Sequence, residues 1–144
     1  MALDVAFHFG APDRLAYVCR LLRKATSSGV RVMVIASGAS VQQLDAALWA
    51  LSATDFVTHS HADAPGGVAG RSSVVMAEGV PPGGKLPPVL LNLADQVPDG
   101  FEQFARVIEV VSNDDMDRTL ARERWKHYTR RGITITRHDL ALKA

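Results

Sequence analysis

Short runs of branched apolar residues alternate with longer amphipathic segments along most of this chain of 144 residues. The runs that are typical of strands cover residues 3–9, 30–35, 73–76, 89–93 and 107–111, with 133–135 as a short final candidate. Strand–helix alternation of this kind indicates an α/β fold, because parallel strands need helical crossovers between them. We therefore predict one domain over residues 1–144, with three layers: a mostly parallel central sheet flanked by helices.

Three segments have the spacing and the capping residues of helices. The first opens at Pro12 and Asp13 and continues to about Ser27. The second is expected at residues 41–51, with Ser40 as its N-cap. The third begins after Asp114 or Asp115 and stops at Gly132, whereas residues 52–72 are predicted to be irregular.

The composition excludes several classes of protein. An apolar fraction of 47% and a charged fraction of 22% are ordinary for a globular domain, and a net charge of +1 argues against bulk nucleic-acid binding. The single cysteine, Cys19, fits a buried structural thiol in a reducing compartment. The first residues lack the basic start and the apolar stretch expected of a signal peptide, and no apolar run approaches the ~20 residues of a membrane span. We therefore expect a cytoplasmic location and no membrane contact.

One glycine-rich stretch imitates a phosphate-binding loop. Residues 79–85 match the first seven positions of the P-loop pattern. Leu86 then replaces the Ser or Thr that would hold magnesium, and Pro87 prevents the helix whose N-terminus would receive the phosphate. We therefore predict no nucleotide site there, and no cofactor.

The strongest catalytic alternative is the run from His59 to Asp63. His59, His61 and Asp63 stand at alternate positions, which resembles part of the metal-binding run of metallo-β-lactamase-like hydrolases. The next residue is Ala64, where that run requires a further histidine. A small metal-dependent α/β hydrolase is thus the alternative hypothesis, and a solvated loop is the simpler interpretation.

The third predicted helix has a cationic face. Residues 118–131 contain six basic residues and one acid. On a helical wheel, Arg118, Arg122, Trp125 and Lys126 fall within about 100° of arc. Such a face suits an acidic, aromatic-bearing peptide, because cations pair with carboxylates and the indole offers an apolar contact. The alternative is a solvated surface helix without a partner.

The opposite side of this helix is predicted to face the core. It carries Leu120, Ala121 and Tyr128, with Met116 nearby. Direct binding of single-stranded DNA is a third possibility for the helix, but it needs a row of stacking aromatic side chains. The residues near the basic face that could provide them are Trp125 and Tyr128.

Two blocks of sequence resemble one protein family. Residues 120–128, followed by Arg131-Gly132, are similar to the C-terminal helix of the chi subunit of bacterial DNA polymerase III. Residues 44–50, followed by Phe56-Val57, are similar to its second helix and the turn after it. The predicted strands follow in the same order, so the resemblance covers nearly the whole chain. The segments without a match are 60–72 and 78–88.

The resemblance implies a non-catalytic adaptor of the replisome. Chi proteins pair with the psi subunit, which joins them to the clamp loader. They also bind the acidic C-terminal tail of single-stranded-DNA-binding protein, which ends in an aspartate-rich stretch and a phenylalanine. By this resemblance the chain would contact DNA only indirectly and would act in the bacterial cytoplasm.

The resemblance also implies where the tail would bind. The site carried over is Arg122, Trp125 and Lys126, flanked by Arg118 and by Val111 at the end of the preceding strand. The cations would pair with carboxylates of the tail, and the apolar side chains would enclose the phenylalanine ring. Family members can carry tyrosine where this chain has Trp125, so the aromatic wall is kept without the phenol hydroxyl.

Trp49 and Phe56 lie in the other matching block. We expect them to form part of an apolar surface for the psi subunit. The alternative is that Trp49 completes the core stripe of its own helix.

Overall fold

In a computed structural model, the chain is described over residues 3–49, 59–61, 73–80 and 86–140. These residues form seven strands, three α-helices and a 3₁₀ turn. The elements are β1 (Asp4–Ala11), α1 (Arg14–Ser27), β2 (Val32–Ile35), α2 (Gly38–Trp49), β3 (His59–His61), β4 (Val74–Ala77), β5 (Val89–Asn92), a 3₁₀ turn (Phe101–Gln103), β6 (Arg106–Ser112), α3 (Asp115–Arg130) and β7 (Ile135–Asp139).

The seven strands of the described chain form one sheet in the order β3-β4-β2-β5-β6-β1-β7. Every strand pair in this sheet is parallel. The predicted α/β class is confirmed, and the described sheet is wholly rather than mostly parallel. Strand β1 lies between β6 and β7, so the first and the last strand of the described chain are neighbours at one edge of the sheet.

Strand β2 shows how the two faces of the sheet are covered. Val32 and Val34 pack in the core cluster that contains the apolar residues of α1 and α2. Met33 and Ile35 point the other way, into the cluster formed with α3 and the 3₁₀ turn. All four side chains are buried, because the strand is covered on both faces. The predicted three layers are therefore confirmed.

Helix α1 begins as its sequence indicates. The Asp13 carboxylate accepts a hydrogen bond of 3.1 Å from the backbone N–H of Ala16, which satisfies one of the free donors of the first turn. Cys19 lies on the inner face of α1 and is 8% exposed, as predicted. Burial and the charge of Asp13 raise the pKa of its thiol. No helix in the described ranges is long and apolar enough to cross a bilayer.

The predicted start of α2 was wrong by three residues. Ser37, rather than Ser40, precedes the helix: its carbonyl accepts the N–H of Val41 at 2.8 Å, and its hydroxyl oxygen accepts the N–H of Ser40 at 3.3 Å. Ser40 lies within the helix. Both serines have a side-chain oxygen that can cap a helix. Which of them serves as the N-cap depends on where the preceding strand ends.

Several strand boundaries also differ from those predicted. Strand β1 passes through Gly10, which adopts a φ of 82°, and continues to Ala11 after a register shift that follows His8. Strand β7 begins where its predicted range ended and runs to Asp139. Residues 59–61, expected to be irregular, pair with β4 as a short edge strand.

Candidate functional site

Helix α3 is fixed at its N-terminus by a set of carboxylates. Asp114 is the N-cap, and its side chain accepts the N–H of Asp117 at 3.0 Å. The Asp117 carboxylate in turn accepts the N–H and the hydroxyl of Ser112 at 2.8 and 2.9 Å. It also pairs with Arg14 of α1 at 3.2 Å. Acidic side chains at a helix N-terminus also interact favourably with the helix dipole. Together these contacts anchor the start of α3.

The inner face of α3 contains a buried ionic network. Arg124 is 3% exposed, and its Nε donates to the fully buried Glu109 carboxylate of β6 at 2.8 Å. Tyr128 donates to the same carboxylate at 2.7 Å, and Asn92 does so at 2.9 Å. A further N–H of Arg124 donates to the carbonyl of Asp95 at 3.1 Å. The network joins α3 to two strands and to the loop after β5.

The protonation behaviour of this network follows from its burial. Burial raises the pKa of Glu109, while the Arg124 guanidinium and the donated hydrogen bonds oppose that rise. Burial and the neighbouring Glu109 charge raise the pKa of the Tyr128 hydroxyl, so Tyr128 remains a hydrogen-bond donor. We regard the arrangement as an ion pair with supporting donors, because every neighbour directed at the carboxylate is a donor.

The sequence assignment of this face was partly right. Ala121 and Tyr128 are fully buried, as predicted, whereas Met116 is 66% exposed and does not reach the core. Burial of Tyr128 also removes one of the two aromatic side chains needed to stack single-stranded DNA. Arg124 is one of the six basic residues of the run but was not part of the predicted cationic face, and its charge is used inside the protein.

The outer face of α3 borders a cavity of about 350 Å³. Helix α3 forms one side of this cavity, and strands β1 and β7 form the other. The lining residues are Arg118, Ala121, Arg122, Trp125 and Lys126 from α3, with Phe9 from β1 and Arg137 from β7. Four residues predicted together on the wheel therefore do lie around one cavity. We refer to it below as the cationic cavity.

The apolar part of the cationic cavity rests on stacked aromatic rings. The Trp125 ring lies 5.0 Å from Phe7 and 6.0 Å from Phe9, measured between ring centroids. Phe7 and Phe9, two positions apart on β1 and therefore on one face, stack at 5.6 Å. Trp125 is partly buried against this layer, so its position is set by the fold. The cavity therefore has an aromatic wall that is packed against the sheet.

The cations around the cavity are weakly paired. Within the described ranges, Arg118 and Arg122 are exposed and form no ion pair. Lys126 pairs with Glu123 at 3.3 Å, but its side chain is 60% exposed. Such exposed pairs contribute little and exchange readily, so three positive charges of α3 are available to an anionic ligand.

Phe9 and Arg137 were missed by the sequence interpretation. The predicted strands ended at Phe9 and at Ile135, and no pairing between them was assigned. Strand alternation gave a signal for Phe9, which shares a face with the core residue Phe7. Arg137 could be placed only once β7 was known to pair with β1.

Of the other predicted site residues, Val111 is the one whose side chain the structure describes. Val111 is fully buried and is not among the lining residues; it belongs to the core cluster against which Trp125 packs. Trp49 ends α2, but its side chain and the whole of Phe56 lie outside the described residues. The same is true of the His59 and His61 side chains and of Asp63.

A second hollow, of about 390 Å³, lies at the carboxyl ends of β2, β4 and β5. In parallel sheets this edge often holds ligands, and the N-terminus of α2 opens into it. The Glu78 carboxylate already lies there: a Cβ added to Gly38 would be 2.8 Å from its Oε1. A protein carboxylate thus lies where an anion would be attracted, which weighs against a phosphate ligand. Among the described side chains, no group of three His, Cys, Asp or Glu could hold a metal ion.

Comparisons with known proteins agree with one another. The sequence model of the family "DNA polymerase III chi subunit, HolC" matches residues 3–136. The chain is 31% identical to the DNA polymerase III subunit chi of Pseudomonas aeruginosa over 128 residues, covering 88% of this chain and 87% of that protein. It is 30% identical to the Escherichia coli subunit chi over 119 residues, covering 82% and 80% of the two chains.

Proposed function

The chain belongs to the family of DNA polymerase III chi subunits, and from this premise we propose that it is a non-catalytic adaptor of the bacterial replisome. In this proposal its cationic cavity binds the acidic C-terminal tail of single-stranded-DNA-binding protein. A separate surface pairs with the psi subunit and thereby with the clamp loader. The observation that carries the proposal is the combination, around one cavity, of exposed cations and a packed aromatic wall.

The cations match the charged part of such a tail. Arg118 and Arg122 lie one helical turn apart on α3, so their guanidinium groups face the same side. Each guanidinium presents several N–H donors that suit a carboxylate. Aspartate side chains and a terminal carboxylate would thus meet donors along the helix. Lys126 would exchange its exposed contact with Glu123 for a contact with the tail.

The aromatic wall matches the final phenylalanine. A phenylalanine ring packed over the outer surface of Trp125 and Phe9, whose own rings lie 6.0 Å apart, would meet aromatic faces and edges and could adopt an offset or edge-to-face arrangement. A cavity of about 350 Å³ is large enough for one aromatic side chain with part of its backbone. In this proposal, burial of the peptide's phenylalanine ring provides affinity. Val111 supports Trp125 from within the core and does not contact the phenylalanine ring.

The charges predict how binding depends on salt. All of the cations concerned are exposed, so their attraction for the tail is screened over a Debye length of about 8 Å at physiological ionic strength. Affinity should therefore fall as salt is added, while the contact of the phenylalanine ring should be less sensitive. The protein would contact DNA through single-stranded-DNA-binding protein rather than directly.

The psi subunit would use another part of the chain. We propose the surface around Trp49 and Phe56, because this block of sequence resembles the second helix of the family and the turn after it. Trp49 ends α2, which packs on the face of the sheet opposite α3. Both partners could then bind at once. A Trp49→Ala protein that remains folded and keeps full affinity for psi would refute this assignment.

Fluorescence anisotropy tests the tail site directly. A labelled peptide of about ten residues from the tail would be titrated into the wild type, Arg122→Ala and Arg130→Ala. Arg130 is the matched control, because it is an exposed arginine of the same helix that does not line the cavity. We expect saturable binding that is lost in Arg122→Ala, kept in Arg130→Ala, and lost when the final phenylalanine is removed. Equal binding to all three proteins would contradict the proposal.

A further inference from the structure

We propose that Arg137 of β7, held over the ring of Phe9, forms a second cationic wall of the cavity and binds a carboxylate of the acidic peptide from the sheet side. This inference rests on the proposed function and extends it beyond α3. It assigns a specificity role to two residues of the sheet, so the peptide would lie between a helix and a strand.

The parallel register of β1 and β7 places Arg137 at the cavity. Phe7 is opposite Arg137, and Phe9 is opposite Asp139, so these four side chains share the face of the sheet that α3 covers. The Arg137 Cζ lies 4.6 Å from the centroid of the Phe9 ring. This cation–π contact holds the long side chain across the ring instead of leaving it free in solvent.

Arg137 keeps hydrogen-bonding capacity in this position. Its Nη2 is 4.0 Å from an Asp139 carboxylate oxygen, and its side chain is 62% exposed. The buried pair of Arg124 and Glu109, at 2.8 Å, is far closer. A guanidinium has five N–H donors, so a contact of 4.0 Å leaves most of them available. A peptide carboxylate could therefore bind Arg137 in place of, or beside, Asp139.

Cations on two walls favour a particular arrangement of acids in the ligand. Arg118 and Arg122 lie on the helix side, and Arg137 lies on the strand side. Successive side chains of an extended peptide point in opposite directions. Two neighbouring acidic residues would thus reach opposite walls, one toward α3 and the next toward Arg137. The geometry points to an extended peptide with adjacent acids followed by an aromatic residue.

The test uses the same anisotropy titration with Arg137→Ala, Arg137→Lys and Arg130→Ala. We expect Arg137→Ala to weaken peptide binding about five- to tenfold, because one charge-assisted contact is lost. The affinity of Arg137→Lys should fall between those of Arg137→Ala and Arg130→Ala, because lysine keeps the charge but loses the planar contact with Phe9. The control Arg130→Ala should change affinity by no more than about twofold.

Peptide variants locate the contact. If Arg137 binds one acid of the tail, replacing that residue with its amide should weaken binding to the wild type but have little further effect on Arg137→Ala. The acid next to it should instead couple to Arg122. If no acid of the peptide couples to Arg137, the inference is overturned.

The outcomes separate the inference from the function on which it rests. Loss of binding in Arg122→Ala, together with identical affinities for Arg137→Ala and Arg130→Ala, would overturn the second wall and leave the tail site on α3 intact. No binding of the peptide to the wild type would overturn both. Because Arg137 is exposed, Arg137→Ala should melt within about a degree or two of the wild type, which verifies that a loss of affinity is not a loss of fold.

Discussion

Arg122 and Arg124 are two positions apart on α3, yet they lie in opposite environments. Arg122 is exposed beside the cationic cavity, whereas Arg124 is 3% exposed and bound to a fully buried glutamate. A helix turns by about 200° over two residues, so neighbours at this spacing point to nearly opposite sides. The basic run therefore has two functions: its inner cation joins the helix to the sheet, and its outer cations are available to a ligand.

This division has an energetic reason. A charge in the interior is stable only when it is paired and hydrogen-bonded, and Glu109 with its supporting donors meets that need for Arg124. The outer cations keep their hydration until a ligand replaces it. We therefore expect changes on the inner face to alter stability and changes on the outer face to alter affinity.

The largest expected effect is at Arg124. Replacing it with alanine leaves the Glu109 carboxylate buried without its cation, which should lower the free energy of unfolding by about 3–5 kcal/mol. Urea unfolding monitored by circular dichroism measures the loss. Arg122→Ala is the matched control and should stay within about 0.5 kcal/mol of the wild type. Similar losses for the two variants would remove the distinction between the faces.

Trp125 lies at the boundary between the faces, so its removal should affect both properties. Trp125→Ala takes away contacts with Phe7 and Phe9, and we expect it to cost about 2–3 kcal/mol of stability because the indole is only partly buried. Peptide binding should fall as well. Trp125→Tyr keeps an aromatic wall and should retain most of both. A Trp125→Ala protein with undiminished affinity would place the peptide elsewhere.

A finer test of the inner face is Tyr128→Phe. The change removes the hydroxyl that donates to Glu109 at 2.7 Å and leaves the ring packed against Phe101. Hydrogen bonds to charged groups contribute about 1.5–3 kcal/mol, and the lower end is expected because Asn92 and Arg124 still donate to the carboxylate. Thermal unfolding should show the loss, and peptide affinity should be unchanged. A loss of affinity without a loss of stability would contradict this assignment.

The smallest expected effect is at the helix start. Asp114→Ala removes the cap of the Asp117 N–H and should cost about 1 kcal/mol. Asp114→Asn keeps a capping oxygen and is the matched control. Differential scanning calorimetry should resolve the two variants. If they melt together, the side-chain cap contributes nothing measurable, and α3 is held by the Asp117 contacts and by its buried face.

The sequence supported the layer architecture because its signals were local. The branched run of β2 and the apolar spacing of α1 each reported burial on the appropriate face. The position of Arg124 was also readable: on an ideal wheel it lies between Leu120 and Tyr128, about 40° from each. The residue type argued against a buried position, because an arginine is expected on a core face only when its buried partner is known.

The sheet side of the cavity could not be read in the same way. Arg137 approaches Phe9 because β7 pairs with β1, a contact between the two ends of the described chain. Strand pairing of this kind is set by tertiary packing rather than by the local pattern. Val111 is a different case. The family resemblance placed it in the wall of the site, and the structure places its side chain in the core cluster against which Trp125 packs.

The central claim is that an acidic, phenylalanine-ended peptide binds beside Trp125. The chain has two tryptophans, Trp49 and Trp125, so a ¹H–¹⁵N spectrum contains two indole N–H signals, which Trp125→Tyr assigns. Titration of the tail peptide into the wild type should shift the Trp125 signal saturably and leave the Trp49 signal in place. A spectrum in which neither signal moves, or in which Trp49 responds instead, would contradict the account.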